Sequence, residues 1–496
     1  MITVPVRLCN RTAYLRPPTK EVALQLRDAF AFHPANYFFS PKYRAGSWDG
    51  LIRLIRNGTM AAGAFLAMQN QVEEELKIHF EITDERRRPV FHPFLANYTV
   101  PEVTIRPYQR DCVKAMIQHS GTGGLVLNAT GTGKTFIAGL FFRLLRGSAC
   151  FLVDELTLLD QAKEGIEKVI GEKVGIIGNS QFEPRRITIA TVQTVHKHRM
   201  APRFKQWSKA LEVMIIDELH KALNRRSFET VRAISPLAVY GLTATLAMQK
   251  DHVRIPAQSI CGPQIYHYSY EDGLAENYLT PGVAIGVDLC RTVVKTRKMA
   301  GYQKDYESRI VRSRRRNEVI VGLVRELHRK GYFIGVLVEW IDHLNLLSAM
   351  LKDIPHEVIF GQVKREERKA AKKNFEDGKI RLFLANRVFT KGIDLSRLDA
   401  LIDAAAMSSK EDVQQKFGRG VRLRFGKLGL LYFDIGDRRP KNSENRFGKA
   451  TRARRRALAE LGVPLLRVRA GEDPALIVEQ AESFLEKYLK TRKMSA

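Results

Sequence analysis

The sequence predicts an α/β protein with two tandem parallel-sheet domains, preceded by a small α+β domain and followed by a basic helical segment. The chain has 496 residues, of which 45% are hydrophobic and 27% are charged. This is too long for one ordinary core and too apolar for a disordered chain. From about residue 100, short apolar stretches alternate with helical patterns, as in parallel sheets whose strands are joined by helices.

The strand candidates fall into two sets of five, and each set is large enough for one sheet. The first comprises residues 124–130, 150–154, 187–191, 213–217 and 240–244, and the second comprises residues 333–339, 357–360, 381–386, 400–406 and 430–435. We therefore predict four parts: a small nucleic-acid-binding domain at 1–100, a first sheet domain at 101–275, a second at 276–437 and a basic helical extension at 438–496.

The charge balance indicates a polyanionic partner. The formal net charge is +28, from 81 Lys and Arg against 53 Asp and Glu. Nucleic acid is the commonest partner that neutralises part of such a surplus. A ribosome-associated protein or a merely basic soluble protein would have the same composition.

The cysteines and the apolar stretches predict the compartment. The five cysteines have no zinc-ligand spacing, so we expect reduced and mostly buried thiols. The N-terminus lacks the apolar region of a signal peptide, and no run of about 18 apolar residues occurs. The sequence therefore predicts a cytoplasmic protein with no membrane partner.

The strongest chemical signal is the segment NATGTGKTF, residues 128–136, which follows a strand candidate and precedes a helical stretch. A glycine-bearing loop in this position supplies backbone N–H groups to phosphate oxygens, its Lys reaches the β- and γ-phosphates, and its Thr hydroxyl reaches Mg²⁺. Asn128 replaces the first glycine of the usual G-x-x-x-x-G-K-[ST] pattern. The segment predicts phosphate binding by Thr130, Gly131, Thr132, Gly133, Lys134 and Thr135, with Mg²⁺ at Thr135.

Two acidic pairs compete for the metal. Mg²⁺ needs a carboxylate opposite the P-loop hydroxyl, and hydrolysis needs another to orient water. Asp154-Glu155 in FLVDELTLLDQ and Asp217-Glu218 in IIDELH both follow strand candidates. Either pair could instead cap the next helix.

These motifs together resemble those of superfamily-two helicases and translocases, over residues 104–437. In that family the segment after the first strand beyond the P-loop reads P-T-x-x-L-x-x-Q and contacts the nucleic-acid backbone. Leu158 and Gln161 match it, with Asp154-Glu155 at the Pro-Thr positions. The resemblance implies RecA-like domains, ATP and Mg²⁺ as cofactors, and a metal pair at Asp217-Glu218 instead.

The IIDELH segment is similar to the family's DEAH-type box. The resemblance implies that Asp217 holds Mg²⁺ and that Glu218 positions and deprotonates the attacking water. It also implies that His220 links the ATP site to the segment Thr243-Ala244-Thr245.

Further segments resemble family motifs. RPYQ is similar to the adenine-reading element, which implies that Gln109 binds adenine, and ATVQTV is similar to a backbone-contacting segment, which implies roles for Thr191, Gln193 and Thr194. In the second domain QKFGRGVR matches Q-x-x-G-R-x-x-R. The resemblance implies that Gln415, Arg419 and Arg422 are catalytic. Arg419 and Arg422 are expected to reach the γ-phosphate when the two domains close, so that ATP hydrolysis drives translocation. The coupling element preceding it contributes Gly392 and Asp394 to the ATP site and Asn386 to nucleic-acid binding.

The first hundred residues interleave aromatic and basic side chains, which can stack bases and hold phosphates. The rings are Tyr37, Phe38, Phe39, Tyr43 and Trp48, and the cations are Lys42, Arg44 and Arg53. Alternatively, most of these rings fill a small core. The segment resembles the N-terminal domain of phage UvsW-type recombination helicases, which implies unwinding of branched DNA and branch migration.

The basic run from Arg438 to Arg456 is expected to touch DNA beside the motor, although charge runs are usually solvated faces. We expect a monomer that acts on single-stranded, forked or branched DNA, with RNA also open. Two other classes remain: a double-strand translocase or restriction-type motor without strand separation, and a non-enzymatic nucleic-acid-binding protein with a decayed ATP site.

Overall fold

The computed structural model describes residues 2–93, 100, 103–154, 156–223, 225–244, 250–290, 301–361, 363, 365–386, 396–407, 409–424, 426–438, 446–469 and 471–495. The chain forms two compact units. One comprises Met1–Asn128 and Gly133–Tyr268, and the other comprises Ala129–Thr132 and Ser269–Ala496.

The first unit begins with a small α+β domain. Its elements are β1 (Ile2–Leu8), β2 (Thr12–Leu15), α1 (Lys20–Ala29), β3 (Ala31–Phe32), a 3₁₀ turn (Tyr37–Phe39), α2 (Pro41–Arg44), β4 (Ile52–Arg53), β5 (Thr59–Ala61), α3 (Ala62–Leu76) and β6 (Ile78–Asp84). Four strands form a sheet in the order β5-β2-β1-β6, and β3 pairs with β4. The domain closes around Phe30, Phe65 and Phe80, all buried.

The small domain is packed onto the larger sheet domain of the same unit. Asn10, at the β1–β2 turn, donates its amide to the carbonyls of Gly121 at 2.8 Å and Leu237 at 3.2 Å. Helix α3 lies so close to the helix Asp251–Cys261 that a side chain at Gly63 would collide with the carbonyl oxygen of Gln258. These contacts bury polar and apolar groups that a separated domain would expose.

The rest of the first unit is a three-layer α/β sheet domain. Its elements are α4 (Pro107–Gln118), β7 (Gly123–Asn128), α5 (Lys134–Leu144), β8 (Ser148–Val153), α6 (Leu156–Ile170), β9 (Gly175–Gly178), β10 (Gln181–Glu183), β11 (Ile187–Thr191), α7 (Val192–His198), α8 (Pro202–Lys209), β12 (Leu211–Ile216), a 3₁₀ turn (Leu219–Ala222), α9 (Arg225–Ile234), β13 (Ala238–Thr243), α10 (Asp251–Cys261) and β14 (Gln264–Tyr268). The strand order is β10-β9-β11-β8-β12-β13-β7-β14. Every pair except β9–β10 is parallel.

The second unit is built on a parallel seven-stranded sheet in the order β17-β18-β16-β19-β20-β15-β21. Its elements are α11 (Tyr270–Ala275), β15 (Gly282–Cys290), α12 (Tyr302–Tyr306), a π-helical turn (Glu307–Val311), α13 (Arg314–Arg329), β16 (Ile334–Leu337), α14 (Ile341–Met350), β17 (His356–Ile359), α15 (Arg365–Glu376), β18 (Leu382–Ala385), β19 (Ala400–Asp403), α16 (Lys410–Gly420), β20 (Leu430–Arg438), α17 (Arg446–Ala459), β21 (Leu465–Arg469) and α18 (Pro474–Ser495).

The predicted fold class is confirmed, and each of the ten predicted strands overlaps an observed one. Five strands of the two sheets were missed, namely β9, β10, β14, β15 and β21. In β14 and β21 polar residues interrupt the apolar runs, as in QIYHY and LLRVR. Residues 438–496 contribute β21, which pairs with β15. The bounds of the four parts drawn from the sequence stay predictions.

The second unit buries several charged pairs. Arg454 donates to Asp434 at 2.7 Å, and Arg455 contacts Asp288 at 2.7 Å and Asp434 at 2.8 Å. Arg316 pairs with Asp437 at 3.1 Å. The expectation that the basic run touches DNA is therefore wrong for Arg454 and Arg455, because both are buried in ion pairs that hold α17 on the sheet.

Within the described part of the chain, no helix combines the length and the apolar character needed to cross a membrane.

Candidate ATPase and nucleic-acid site

The P-loop leads from β7 into α5. Gly131 and Gly133 have φ angles of 93° and 81°, a region that glycine enters without steric cost. Helix α5 begins at Lys134, whose ammonium donates to the carbonyl of Asn128 at 3.4 Å. Within the loop, the Thr132 hydroxyl donates to the carbonyl of Ala129 at 2.8 Å. The loop and the first turn of α5 thus form the kind of N-terminal anion site that binds phosphates.

The acidic pair Asp217-Glu218 follows β12 in the same unit. Removal from water and the neighbouring Glu218 carboxylate raise the pKa of Asp217 to about 6, and the Lys134 ammonium opposes them. Glu218 adopts a left-handed backbone with a φ of 47°, and its Oε2 is buried without a hydrogen bond among the described residues. A buried carboxylate oxygen without a donor fits a group that accepts a proton from bound water.

The ATP site and the segment that ends β13 are joined by His220. Its Nδ1 lies 3.1 Å from the Thr243 hydroxyl and 3.4 Å from Glu218 Oε2. This is the link that the DEAH-type resemblance implies between His220 and the T-A-T segment. Thr245, the last residue of that segment, lies outside the described residues.

The donor set fits ATP with one Mg²⁺ ion. Mg²⁺ in such sites is held by one or two protein oxygens together with phosphate oxygens and waters, and Thr135 and Asp217 supply oxygens of that kind. The part of the chain that is described contains no cluster of three His, Cys, Asp or Glu residues that could hold a metal unaided. Such a cluster is not needed where phosphates complete the coordination.

Gln109 lies against the P-loop in the first turn of α4. A side chain at Gly133 would come within 3.2 Å of the Gln109 amide nitrogen. The Gln109 Oε1 accepts the backbone N–H of Arg106 at 3.0 Å, which orients the amide. Tyr108 stacks on Tyr268 with the ring centroids 4.1 Å apart and fixes the start of α4.

The strand order separates two sets of site residues along the carboxyl edge of the first sheet. The strands β12, β13 and β7 are adjacent and carry Asp217, Thr243 and the P-loop. The next two strands, β8 and β11, lead into the segments with Gln161 and Gln193. Ligands of parallel sheets bind at this edge, so one edge presents both sets.

The nucleic-acid candidates on this edge differ in how they are engaged. Gln161 on α6 is exposed. Gln193 donates its amide to the carbonyl of Asp154 at 2.6 Å. Glu155, the other residue of that acidic pair, lies outside the described residues. Thr191 is buried and caps α7 by accepting the N–H of Thr194 at 3.3 Å and donating to its hydroxyl at 2.9 Å.

In the second unit, helix α16 carries Gln415 and Arg419, and Arg422 follows two residues after the end of the helix. Ser409 and Asp412 cap its N-terminus reciprocally. Gln415 is buried and Arg419 is partly buried near the end of the helix, and the Arg422 carbonyl accepts the Thr280 hydroxyl at 2.9 Å. Asn386 follows β18, while Gly392 and Asp394 lie outside the described residues.

Sequence reasoning missed the group that anchors α16. Lys416, between Gln415 and Arg419, donates to both oxygens of Asp403 at 3.0 and 2.9 Å, and the Tyr432 hydroxyl donates to Asp403 at 2.7 Å. All three side chains are buried. In the sequence Lys416 is one of several cations on a helix, and only the fold brings the Asp403 carboxylate to it.

The small domain presents most of its predicted rings to solvent. Phe38, Phe39 and Tyr43 are 49%, 60% and 38% exposed, so the alternative that these rings fill the core is wrong. Arg44 lies over the Phe39 ring at 5.5 Å, and Lys42 is exposed. Trp48 is partly buried and donates its indole N–H to the carbonyl of Leu51 at 2.9 Å.

Arg53 is engaged within the protein. Its guanidinium contacts Asp28 at 2.8 Å and Asp49 at 2.7 Å. These two carboxylates compete with any phosphate for it, so the structure gives Arg53 a bracing role that sequence reasoning missed.

Three family models match the chain. They describe the res subunit of type III restriction enzymes at residues 102–248, the helicase conserved C-terminal domain at 290–424 and the N-terminal domain of the DNA helicase UvsW at 14–81. One parallel-sheet domain carries a P-loop and a D-E-x-H segment, and the other carries a helix with a predicted catalytic arginine. This combination defines the helicase class of P-loop proteins.

Individual relatives agree with these models. The chain is 21% identical over 389 residues to the DNA 3'-5' translocase XPB2 of Sulfurisphaera tokodaii, covering 71% of this chain and 84% of that one. It is 24% identical over 443 residues to the ATP-dependent DNA helicase uvsW of Enterobacteria phage T4, covering 83% and 86%. Dbp5 of S. cerevisiae, solved with RNA and ADP BeF3, shares the fold with a TM-score of 0.52 at 16% identity, over 77% of this chain and 93% of that one.

The chain belongs to superfamily two and is an ATP-dependent DNA helicase.

Proposed function

We propose that this helicase unwinds branched DNA and drives branch migration in recombination, repair or fork rescue. The observation that carries the proposal is the small N-terminal domain. It matches the UvsW N-terminal model over residues 14–81 and exposes rings beside the cations Lys42 and Arg44. Exposed rings and cations together suit bases that have been unstacked at a branch point.

The ATPase residues would act in the following roles. Lys134 and the P-loop N–H groups hold the phosphates, and Gln109 reads the adenine. Thr135 and Asp217 hold Mg²⁺, which supplies charge neutralisation at the β- and γ-phosphates. Glu218 accepts the proton of the attacking water. Arg419 and Arg422 stabilise the charge that develops on the γ-phosphate.

Gln161, Gln193 and Thr194 on the first sheet edge, and Asn386 in the second unit, would track the nucleic-acid backbone. We propose DNA as the strand that they hold, with a monomer acting in the cytoplasm. Thr191 would act indirectly, because its hydroxyl caps the helix that carries Gln193 and Thr194.

A second candidate function is translocation on duplex DNA without strand separation. It is favoured by the match of residues 102–248 to a restriction-enzyme subunit and by the relative whose name is a DNA translocase. The two functions differ in one measurable product, because only unwinding releases a strand from a two-strand fork, whereas both displace a third strand from a triplex.

The test compares substrates side by side on the full chain. ATP hydrolysis is measured with single-stranded DNA, a fork, a four-way junction and RNA of equal nucleotide content, and strand release is measured on the fork and the junction. We expect the junction and the fork to stimulate hydrolysis more than single strands and to release strands. Equal stimulation by all substrates, with triplex displacement but no strand release, would refute branch unwinding and favour the translocase.

Charge reversal localises the branch preference. Lys42→Glu with Arg44→Glu should lower the junction preference, increasingly so as salt rises, because screening weakens the remaining phosphate contacts. Lys77→Glu with Arg88→Glu is the matched control, since both cations are exposed in the same part of the chain. Deleting residues 1–100 is a poorer test, because it would uncover the face of α10 on which α3 packs.

A further inference from the structure

A groove crosses the small domain away from Lys42 and Arg44. Its volume is about 1020 Å³, at the upper end of the range for small-molecule sites. One wall is the face of α1 formed by Lys20, Leu24 and Arg27, which are spaced four and three residues apart and so lie on one side of the helix. The segment from Trp48 to Gly58 supplies most of the remaining lining, together with Leu15 and Pro17.

The charge of the groove is of one sign. Its lining residues include four cations and no Asp or Glu. Arg53 is neutralised by Asp28 and Asp49, whereas Lys20, Arg27 and Arg56 are exposed and have no ion pair or side-chain hydrogen bond among the described residues. Three uncompensated cations around one concave surface favour a ligand with several negative charges.

The groove is also apolar. Leu24 and Ile52 line it and are 60% and 38% exposed, and the Trp48 ring lines it with its N–H already bonded to the Leu51 carbonyl. Exposed large apolar side chains beside a Trp ring mark a surface that is covered by a partner. Phosphates alone would not cover them.

The walls are joined to each other. The Arg53–Asp28 pair links the Trp48 segment to α1, the Leu54 N–H donates to the carbonyl of Phe30 at 2.9 Å, and the Leu15 N–H donates to Gly58 at 2.8 Å. Asn57 and Gly58 take positive φ angles of 50° and 69° in a tight turn that holds Arg56. The groove therefore needs no rearrangement to receive a ligand.

We propose that this groove binds a single strand of DNA next to the branch point, with bases against Trp48, Leu24 and Ile52 and phosphates against Lys20, Arg27 and Arg56. The proposal rests on the branched-DNA function above and adds the strand and the residues. Only a single strand offers base faces and phosphates together. A duplex presents phosphates outward and would leave the apolar lining uncovered.

The test uses the full chain and single-stranded DNA that contains 5-bromodeoxyuridine, irradiated without nucleotide, and maps the cross-linked peptide. We expect a cross-link in the peptide that contains Trp48. The triple variant Lys20→Ala, Arg27→Ala, Arg56→Ala should lose that cross-link, bind single strands with a salt slope reduced by about 2 for three phosphate contacts, and keep wild-type ATP hydrolysis without DNA. Trp48→Phe should still bind single-stranded DNA but should change the yield of the cross-link.

The matched control is Lys77→Ala, Arg87→Ala, Arg88→Ala, which removes three exposed cations outside the groove. It should keep the cross-link. Equal loss in both triple variants, cross-linking of duplex in preference to single strands, or displacement of the strand by an acidic peptide at lower concentration than by DNA would overturn the proposal.

The outcomes also separate this proposal from the one on which it rests. A triple variant that keeps the cross-link, in a protein whose wild type prefers junctions and releases strands, refutes the groove and leaves branch unwinding intact. A wild-type protein that shows the cross-link but no junction preference refutes branch unwinding and supports the groove as a strand-binding site.

Discussion

Lys416→Met removes the cation that neutralises Asp403 inside the second unit. Asp403 is fully buried, and besides the two contacts from Lys416 it accepts the Tyr432 hydroxyl at 2.7 Å and the Ala405 N–H at 3.2 Å. Methionine fills the space of the lysine stem but donates no hydrogen bond. The carboxylate is then left without its charge partner, which costs about 3–5 kcal/mol for a buried pair.

This loss is large enough to measure as a shift in unfolding temperature. In a unit of about 150–250 residues, 1 kcal/mol lowers Tm by about 2–4 °C, so the transition of the second unit should fall by roughly 10 °C. Trp340 lies in that unit and stacks on Tyr306. Its fluorescence reports the transition when Trp48 and Trp207 are replaced by Phe.

Two further measurements identify the cause. Lys416→Met with Asp403→Asn should regain most of the stability, because the neutral amide still accepts the Tyr432 hydroxyl. At temperatures where the single variant is folded, kcat for ATP hydrolysis should fall, because Lys416 positions the helix that carries Gln415 and Arg419. The KM for ATP should change less than kcat, because the P-loop is unchanged. A single variant as stable as wild type, or a double variant as unstable as the single one, would refute the reasoning.

Four other substitutions test the ATP site and the stability of the second unit. Lys134→Ala should abolish ATP turnover and leave DNA binding largely unchanged. Turnover at the wild-type rate would show that residues 128–136 are not the P-loop. Glu218→Gln should stop hydrolysis while ATP still binds, whereas Glu155→Gln should leave basal hydrolysis near normal; the reverse pattern would transfer the water-activating role to the earlier pair. His343 is buried with its Nε2 2.9 Å from Asn317 Oδ1, and burial lowers its pKa to about 3. The His343 imidazole therefore stays neutral in the folded state, whereas in the unfolded state it takes up a proton below about pH 6.5. The free energy of unfolding should consequently fall by about 2 kcal/mol between pH 7 and pH 5. His343→Gln should remove that part of the pH dependence, and an unchanged pH profile would contradict it.

The P-loop and ten of the strands in the two sheets could be predicted because their signals are local. A strand followed by NATGTGKTF, and IIDELH after another strand, need only the order of neighbouring residues to place a phosphate loop and a carboxylate pair. The contact of His220 with Thr243, at 3.1 Å, is one that the family resemblance implied. The family resemblance decided between the two acidic pairs, which composition and strand position had left open.

Tertiary structure decided which charges are available. Arg53 was predicted to contact DNA, but folding brings Asp28 to it. Arg454 and Arg455 belong to a basic run that was also expected to touch DNA, but β20 and β15 supply Asp434 and Asp288. A cation is free or paired according to carboxylates far away in the chain, which no window of sequence contains. For the same reason Lys20, Arg27 and Arg56, unremarkable in the sequence, become one groove only because α1 and the Trp48 segment fold against each other.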